Sequence, residues 1–193
     1  MAQHADAPVR PSGQEPGSRM AAGCFDWMEA LIPSIIAVLV LFTFLFRIVT
    51  VNGTSMLPNL QEGDRLFVSC TYTSLSRGDI IVIDAKATTL GNVLVKRVIA
   101  TEGQTVDINF KTGTVYVDGA ALDESAYLVN GITTNQYDVK FPQKVPSGCV
   151  FVLGDNRTVS EDSRFQAVGM IQKRYIIGKV KWILTPFSKF GKI

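Results

Sequence analysis

A chain with a single histidine must move protons by some other group, and its serines and lysines are where that chemistry has to be sought. His4 sits alone in a tail rich in Ala, Pro, Gly and Gln, so neither a Ser-His-Asp nor a Cys-His arrangement has its base. Three cysteines and no histidine beyond the tail leave no four-ligand zinc set, and neither a metal nor any other cofactor is expected. Lysine can replace histidine when an apolar setting drives its ammonium toward neutrality. Twelve serines and ten lysines offer too many pairs for composition to choose between them, so local context must decide.

Three fragments stand out. In NGTSMLPNL (52–60), Pro58 disfavours helix at Leu57, which predicts that Ser55-Met56-Leu57 runs extended and ends in a turn. A serine on such a corner can aim its hydroxyl into a groove, although an ordinary turn serine has the same local sequence. In VLVKRVIA (93–100), a strand puts Leu94, Lys96 and Val98 on one face and Val95, Arg97 and Ile99 on the other. Lys96 is then either snorkelling at a sheet rim or desolvated against apolar neighbours. Lowering its pKa from about 10.4 to about 7–8 costs roughly 4 kcal/mol, which a purely structural protein has no reason to bear. The third fragment, GDNRTVSEDSR (154–164), follows directly on the apolar run CVFVL. A solvated turn stitched by Asx bonds accounts for so polar a loop, and so does a scaffold that holds another group in register.

The elements that must carry these fragments are legible in part. From Leu31 to Phe46 no residue is charged, and including Ala30 the run is 17 residues, roughly 25 Å of helix. With Trp27 suited to an interface and Arg47 able to snorkel, a transmembrane helix is expected over residues 30–47, behind a disordered tail at 1–29. The run lies too far from the start, and lacks the basic leader and cleavage site, for a secretory signal. Lys and Arg flank it too evenly for the charge rule to orient it. Beyond it, Ile80–Ile83, Val93–Ile99, Thr105–Phe110, Thr114–Val117, Val150–Leu153 and Tyr175–Leu184 read as short strands, with a hairpin turn at Lys111-Thr112-Gly113. The fold class expected is mainly β: one N-terminal membrane helix, then a mostly antiparallel domain over 48–193. An odd number of cysteines rules out a full disulfide framework; Cys70 and Cys149 could pair if the domain lies outside the membrane, with two buried free thiols the favoured expectation. A net charge of +2 is too small to suggest nucleic acid.

Taken together, SMLPNL (55–60), RGDIIVI (77–83), KRVIA (96–100) and GDNRTVSEDSR (154–164), in this order behind an apolar helix, resemble the bacterial type I signal peptidases. These are membrane-bound Ser/Lys endopeptidases that remove signal peptides from exported preproteins. The resemblance implies Ser55 as nucleophile, Lys96 as general base, and Ser160 as the serine that hydrogen-bonds and orients that base. It implies Asp162 and Arg164 as a bracing pair, with Gly154, Asp155 and Asn156 forming the supporting turn. Val51, Met56, Leu60, Leu94 and Val95 would line pockets that favour small side chains at the first and third positions before the cut. Gly53 stands where some members carry a serine that helps bind the oxyanion, so backbone donors such as Ser55 N–H must serve instead. Ala100, Glu102 and Gln104 depart from the family pattern after the lysine, and Asn59 replaces a usual threonine. The family's β-rich catalytic domain lies on the extracytoplasmic side of the bacterial cell membrane, which implies the same for residues 48–193.

From Lys173 onward the chain has six Lys or Arg and no acidic residue, interleaved with Trp182, Phe187, Phe190 and Ile193. That mixture suits the surface of an anionic lipid bilayer. A rival reading from another class is a catalytically inactive, membrane-tethered β module that binds extended peptides along the same sheet edge.

Overall fold

The structure is a computed structural model describing residues 16–128, 132–191 and 193. One long helix, α1 (Pro16–Leu45), precedes the strands. Its stretch Trp27–Leu45 is 19 residues with mean hydropathy 2.3, long and apolar enough to cross a membrane. Two hydroxyls inside it are satisfied within the helix, Ser34 Oγ by the carbonyl of Ala30 at 2.7 Å and Thr43 Oγ1 by that of Leu39 at 2.8 Å. The helix differs from expectation at both ends. It begins at Pro16, so residues 16–29 are helical rather than disordered; the preceding residues lie outside the described chain. The stretch RMAAGCFDWMEA, rich in Ala and Met, has the propensity to extend a helix that the apolar run has nucleated. At the other end Arg47 is not helical, because Phe46–Thr50 is recruited into a sheet.

Among the described residues eleven strands follow: β1 (Phe46–Thr50), β2 (Arg65–Ser69), β3 (Ile80–Ile83), β4 (Leu94–Thr101), β5 (Thr105–Asn109), β6 (Thr114–Val117), β7 (Ala120–Ala121), β8 (Gln143–Lys144), β9 (Cys149–Leu153), β10 (Ile171–Gln172) and β11 (Ile176–Thr185). They form a seven-stranded sheet, in the order β1-β2-β11-β3-β4-β9-β10, and a four-stranded sheet, in the order β7-β6-β5-β8. Every pairing is antiparallel. Helix after residue 45 is confined, among the described residues, to three-residue 3-10 turns.

The centre of the large sheet is buried on both faces, which explains why β3 reads as the unbroken run IIVI instead of alternating. Ile80 and Val82 pack with Val51, Met56, Leu60, Leu66, Val68, Val180 and Ile183 on one side. Ile81 and Ile83 pack with Val98, Val150, Val152 and Ile171 on the other. A third cluster, including Ile99, Phe151 and Leu153, joins β4 and β9 to Val106, Ile108, Val115 and Val117 of the small sheet. The small sheet's hairpin turns at the expected Lys111-Thr112-Gly113. Asn109 Oδ1 accepts from the Lys111 and Thr112 N–H groups, and Gly113 adopts a φ of 74° that a side chain would resist. Cys70 and Cys149 are free thiols.

Candidate active site

Ser55 lies in the connection between β1 and β2, and Lys96 in the middle of β4, where it pairs with Ile81 across the ladder. The expectation of an extended Ser55-Met56-Leu57 does not hold. Leu57 N–H donates to the Thr54 carbonyl at 3.2 Å and Leu60 N–H to that of Met56 at 2.9 Å, so these residues form a compact turn. Burial of Met56 and Leu60 anchors it from below. Lys96 Nζ reaches Ser55 Oγ at 2.7 Å. Only 2% of Lys96 is exposed, and that burial pushes its ammonium down to about 8 from 10.5. Asp162, Glu161 and Asp155 pull in the opposite direction, so the shift is smaller than burial alone would produce. Among the described residues, Ser55 N–H donates to no protein acceptor.

The 154–164 loop backs this pair. Asn156 N–H donates to the Ser55 carbonyl at 2.9 Å and its Nδ2 to the Thr54 carbonyl at 3.2 Å. Asp162 and Arg164 are fully buried and paired twice, at 2.8 and 2.9 Å, and Asp162 Oδ2 also accepts the Gly154 N–H at 3.1 Å. Arg164 also donates to the carbonyls of Asn135, Arg157 and Ser160. A partner at each guanidinium nitrogen helps make a buried ion pair tolerable. Gly154 is required by close approach: a Cβ there would fall 2.1 Å from Ser160 Oγ and 2.5 Å from the Ser55 carbonyl oxygen. Ser160 is the exception to expectation. Its hydroxyl is buried without a hydrogen-bond partner, alone in this among the described residues, so the expected bond to Lys96 is not formed. The Nζ is turned to Ser55 instead.

Next to the pair runs a groove of about 740 Å³, lined by β1, by Val51, Gly53, Ser55 and Met56, and by Leu94, Val95 and Lys96. Four of the five expected pocket residues, together with Gly53, therefore border one space. Leu60 does not; it is fully buried beneath the turn and borders a separate cavity with Pro58 and Ile183.

Several partners of the expected residues were not themselves expected at the site. Asp155 is held by Arg97, with Nε to Oδ1 at 2.8 Å and Nη2 to Oδ2 at 2.7 Å, and by Asn59. Arg157, also buried, bonds the Gly154 carbonyl at 3.0 Å, Glu124, and Thr133 Oγ1 at 2.6 Å. The partners Glu124 and Thr133 come from the irregular segment between β7 and β8, far away in the chain.

The family described as "Signal peptidase, peptidase S26" matches residues 24–185, which contain every group of this site. The chain belongs to that family. Signal peptidase I of Bacillus licheniformis is 35% identical over 187 residues, covering 93% of this chain and 98% of that one. Signal peptidase I T of Bacillus subtilis is 35% identical over 172 residues, covering 85% and 86%. The probable signal peptidase I-1 of Synechocystis is 36% identical over 182 residues and covers 88% of each. Among solved structures, a signal peptidase I from Enterococcus faecalis V583 is 30% identical, covers 56% of this chain and 98% of that one, and gives a TM-score of 0.45. As a type I signal peptidase, the protein is a hydrolase, a serine endopeptidase that processes signal peptides. Its N-terminal apolar helix is consistent with a membrane anchor.

Proposed function

We propose that Ser55 and Lys96 are the catalytic dyad of this signal peptidase. The observation that carries the reading is the 2.7 Å contact between a serine hydroxyl and a lysine that is 2% exposed. Neutral Lys96 takes the Ser55 proton as Oγ bonds to the scissile carbonyl carbon, whose π electrons move onto oxygen. The unengaged Ser55 N–H is the first donor for that oxyanion, and Gly53 offers no side chain to help. As the C–N bond breaks, Lys96 ammonium gives its proton to the departing amine, leaving an ester on Ser55. Water then attacks the ester, losing its proton to the same nitrogen, and the acid product leaves.

Substrate adds as an extended strand in the groove beside β1, with main-chain bonds supplying affinity. Val51, Met56, Leu94 and Val95, which border that groove, favour small side chains at the first and third positions before the cut. The Asp162–Arg164 pair and the turn at Gly154, Asp155 and Asn156 hold the nucleophile's backbone in place, and Ser160 orients the lysine once substrate reorganises the site.

The helix spans the bilayer once, with the domain on the extracytoplasmic side where exported preproteins emerge. The basic and aromatic C-terminal segment, in which Phe187 and Phe190 are exposed, rests on anionic lipid. An inactive peptide-binding module is not favoured, since binding gains nothing from a buried lysine held at a hydroxyl. The deciding experiment is incubation of the detergent-solubilised full chain with a preprotein, followed by mass of the released fragment. Ser55→Ala and Lys96→Met should each abolish cleavage while melting as cooperatively as the parent; cleavage by either variant would remove that residue from the dyad.

A further inference from the structure

The nucleophile's turn is tied to the base's strand by a residue outside both sites just described. Asn59, four positions after Ser55, has one side-chain nitrogen with two hydrogens, and both are used. One goes to the Tyr127 carbonyl at 2.7 Å and the other to Asp155 Oδ2 at 2.8 Å. Asp155 is in turn gripped from the other side by Arg97, the residue that follows Lys96 in β4. The Arg97 guanidinium also lies over the Tyr127 ring, 4.2 Å from its centroid, and donates to the Gly78 carbonyl at 2.8 Å. A short relay thus runs from the serine's turn through Asn59 and Asp155 to the lysine's own strand, with Tyr127 closing it on one flank.

We propose that Asn59 is a positioning residue for catalysis, whose two donors fix the distance between the Ser55 turn and the Lys96 strand while docking the Tyr127 segment over the relay. This inference rests on the Ser55/Lys96 reading. Its chemistry is specific to a carboxamide: a threonine hydroxyl has one hydrogen to give, and alanine has none. The threonine oxygen also sits one bond nearer the backbone than the Asn59 nitrogen, so N59T keeps at most one of the two ties. The parallel link through Asn156 to Ser55 and Thr54 survives either change, so the expected loss is partial. Loosening the turn moves reacting atoms by fractions of an ångström, to which rate is sensitive and binding is not. It also lets water reach Lys96, which relaxes the burial that lowers its pKa.

The test compares the full chain in detergent with its N59T and N59A variants on one preprotein, with Ser55→Ala in parallel. Expected are kcat reductions of about 5-fold for N59T and about 30-fold for N59A, with KM within 2-fold of the parent. The acid limb of kcat/KM should also move alkaline, by about half a unit or more in N59A. A role confined to stability would lower the melting temperature and leave both the pH profile and the kcat of the folded fraction unmoved, and that result overturns the proposal. If N59A fails to fold, N59T decides the matter alone, since it keeps one donor. Parental kcat and pH profile in N59T with an inert Ser55→Ala would sink this inference and leave the dyad standing; an active Ser55→Ala would sink the dyad itself.

Discussion

A methyl group on Gly154 would sit 2.5 Å from the carbonyl oxygen of Ser55, so the Ser55 backbone and the polar loop meet at a distance only glycine allows. The same methyl would lie 2.1 Å from Ser160 Oγ. Gly154→Ala should therefore part the two segments. A displacement of about 1 Å at reacting atoms lowers rate about 100-fold, and overpacking costs about 1–3 kcal/mol. Cleavage assays with thermal melts check both, and a fully active Gly154→Ala would show that the contact does not position the serine.

Lys96 carries the pH dependence. With its pKa at about 8, the neutral fraction rises about tenfold between pH 7 and pH 9, and kcat/KM should rise in proportion before levelling. A profile flat across that limb would exclude lysine as the base.

The same shift sets a stability trend of definite sign. The folded-state pKa is depressed, so the penalty on the charged lysine is fully present below pH 8 and disappears as pH climbs through 8 toward 10.5. Its size is about 3 kcal/mol at about 1.36 kcal/mol per unit. Lys96→Met should melt above the parent at pH 6–7, with the advantage shrinking by pH 10; urea titrations at the two pH values measure it.

Ser160 separates function from stability. Removing a buried hydroxyl that has no partner relieves about 1 kcal/mol or more of desolvation penalty, so Ser160→Ala should not lower the melting temperature. If the hydroxyl orients Lys96 when peptide is bound, kcat falls nonetheless. Unchanged kcat would reduce Ser160 to a packing residue.

Glu124 tests the irregular segment. Its carboxylate pairs with Arg157, whose side chain is 1% exposed, and Glu124→Ala would leave that guanidinium buried with a partner missing. Breaking such a pair costs about 3 kcal/mol. A melt unchanged by Glu124→Ala would mean that Thr133 and the Gly154 carbonyl suffice to hold Arg157.

The C-terminal segment is tested by deleting residues 186–193. Binding to vesicles containing anionic lipid should weaken, measured by co-sedimentation, and unchanged binding would retire the lipid contact. Lys189 also pairs with the buried Asp64 at 3.0 Å, so a Lys189→Ala control separates lost lipid contact from a loosened core.

Strands whose side chains are buried on both faces could be read directly: IIVI and CVFVL are apolar runs because the large sheet has core on either side. β1 carries no strand signal of its own because FRIVT abuts the apolar helix and holds Arg47, which suits a helix end, and only its ladder with Arg65–Ser69 shows it to be a strand. β7, β8 and β10 are two residues each, too short for any period. The serine and lysine were legible because each sits in a compact fragment with its own peculiarity, a proline three residues on or apolar neighbours on either side. Asn59, Glu124, Tyr127 and Arg157 were not, since their meaning lies in bonds to positions 33 to 96 residues away. Leu60 shows the converse limit: its place beside the serine suggested a pocket wall, yet the turn rotates it inward.

β1 terminates the large sheet, and its residues 47–50 border the groove with no described strand paired on that side. A bare row of amides and carbonyls can sense whether a visitor is stretched out and which way it runs, but is blind to its lettering. On the proposed reading, clients with little sequence in common can then share one enzyme, provided they unravel near the scissile bond.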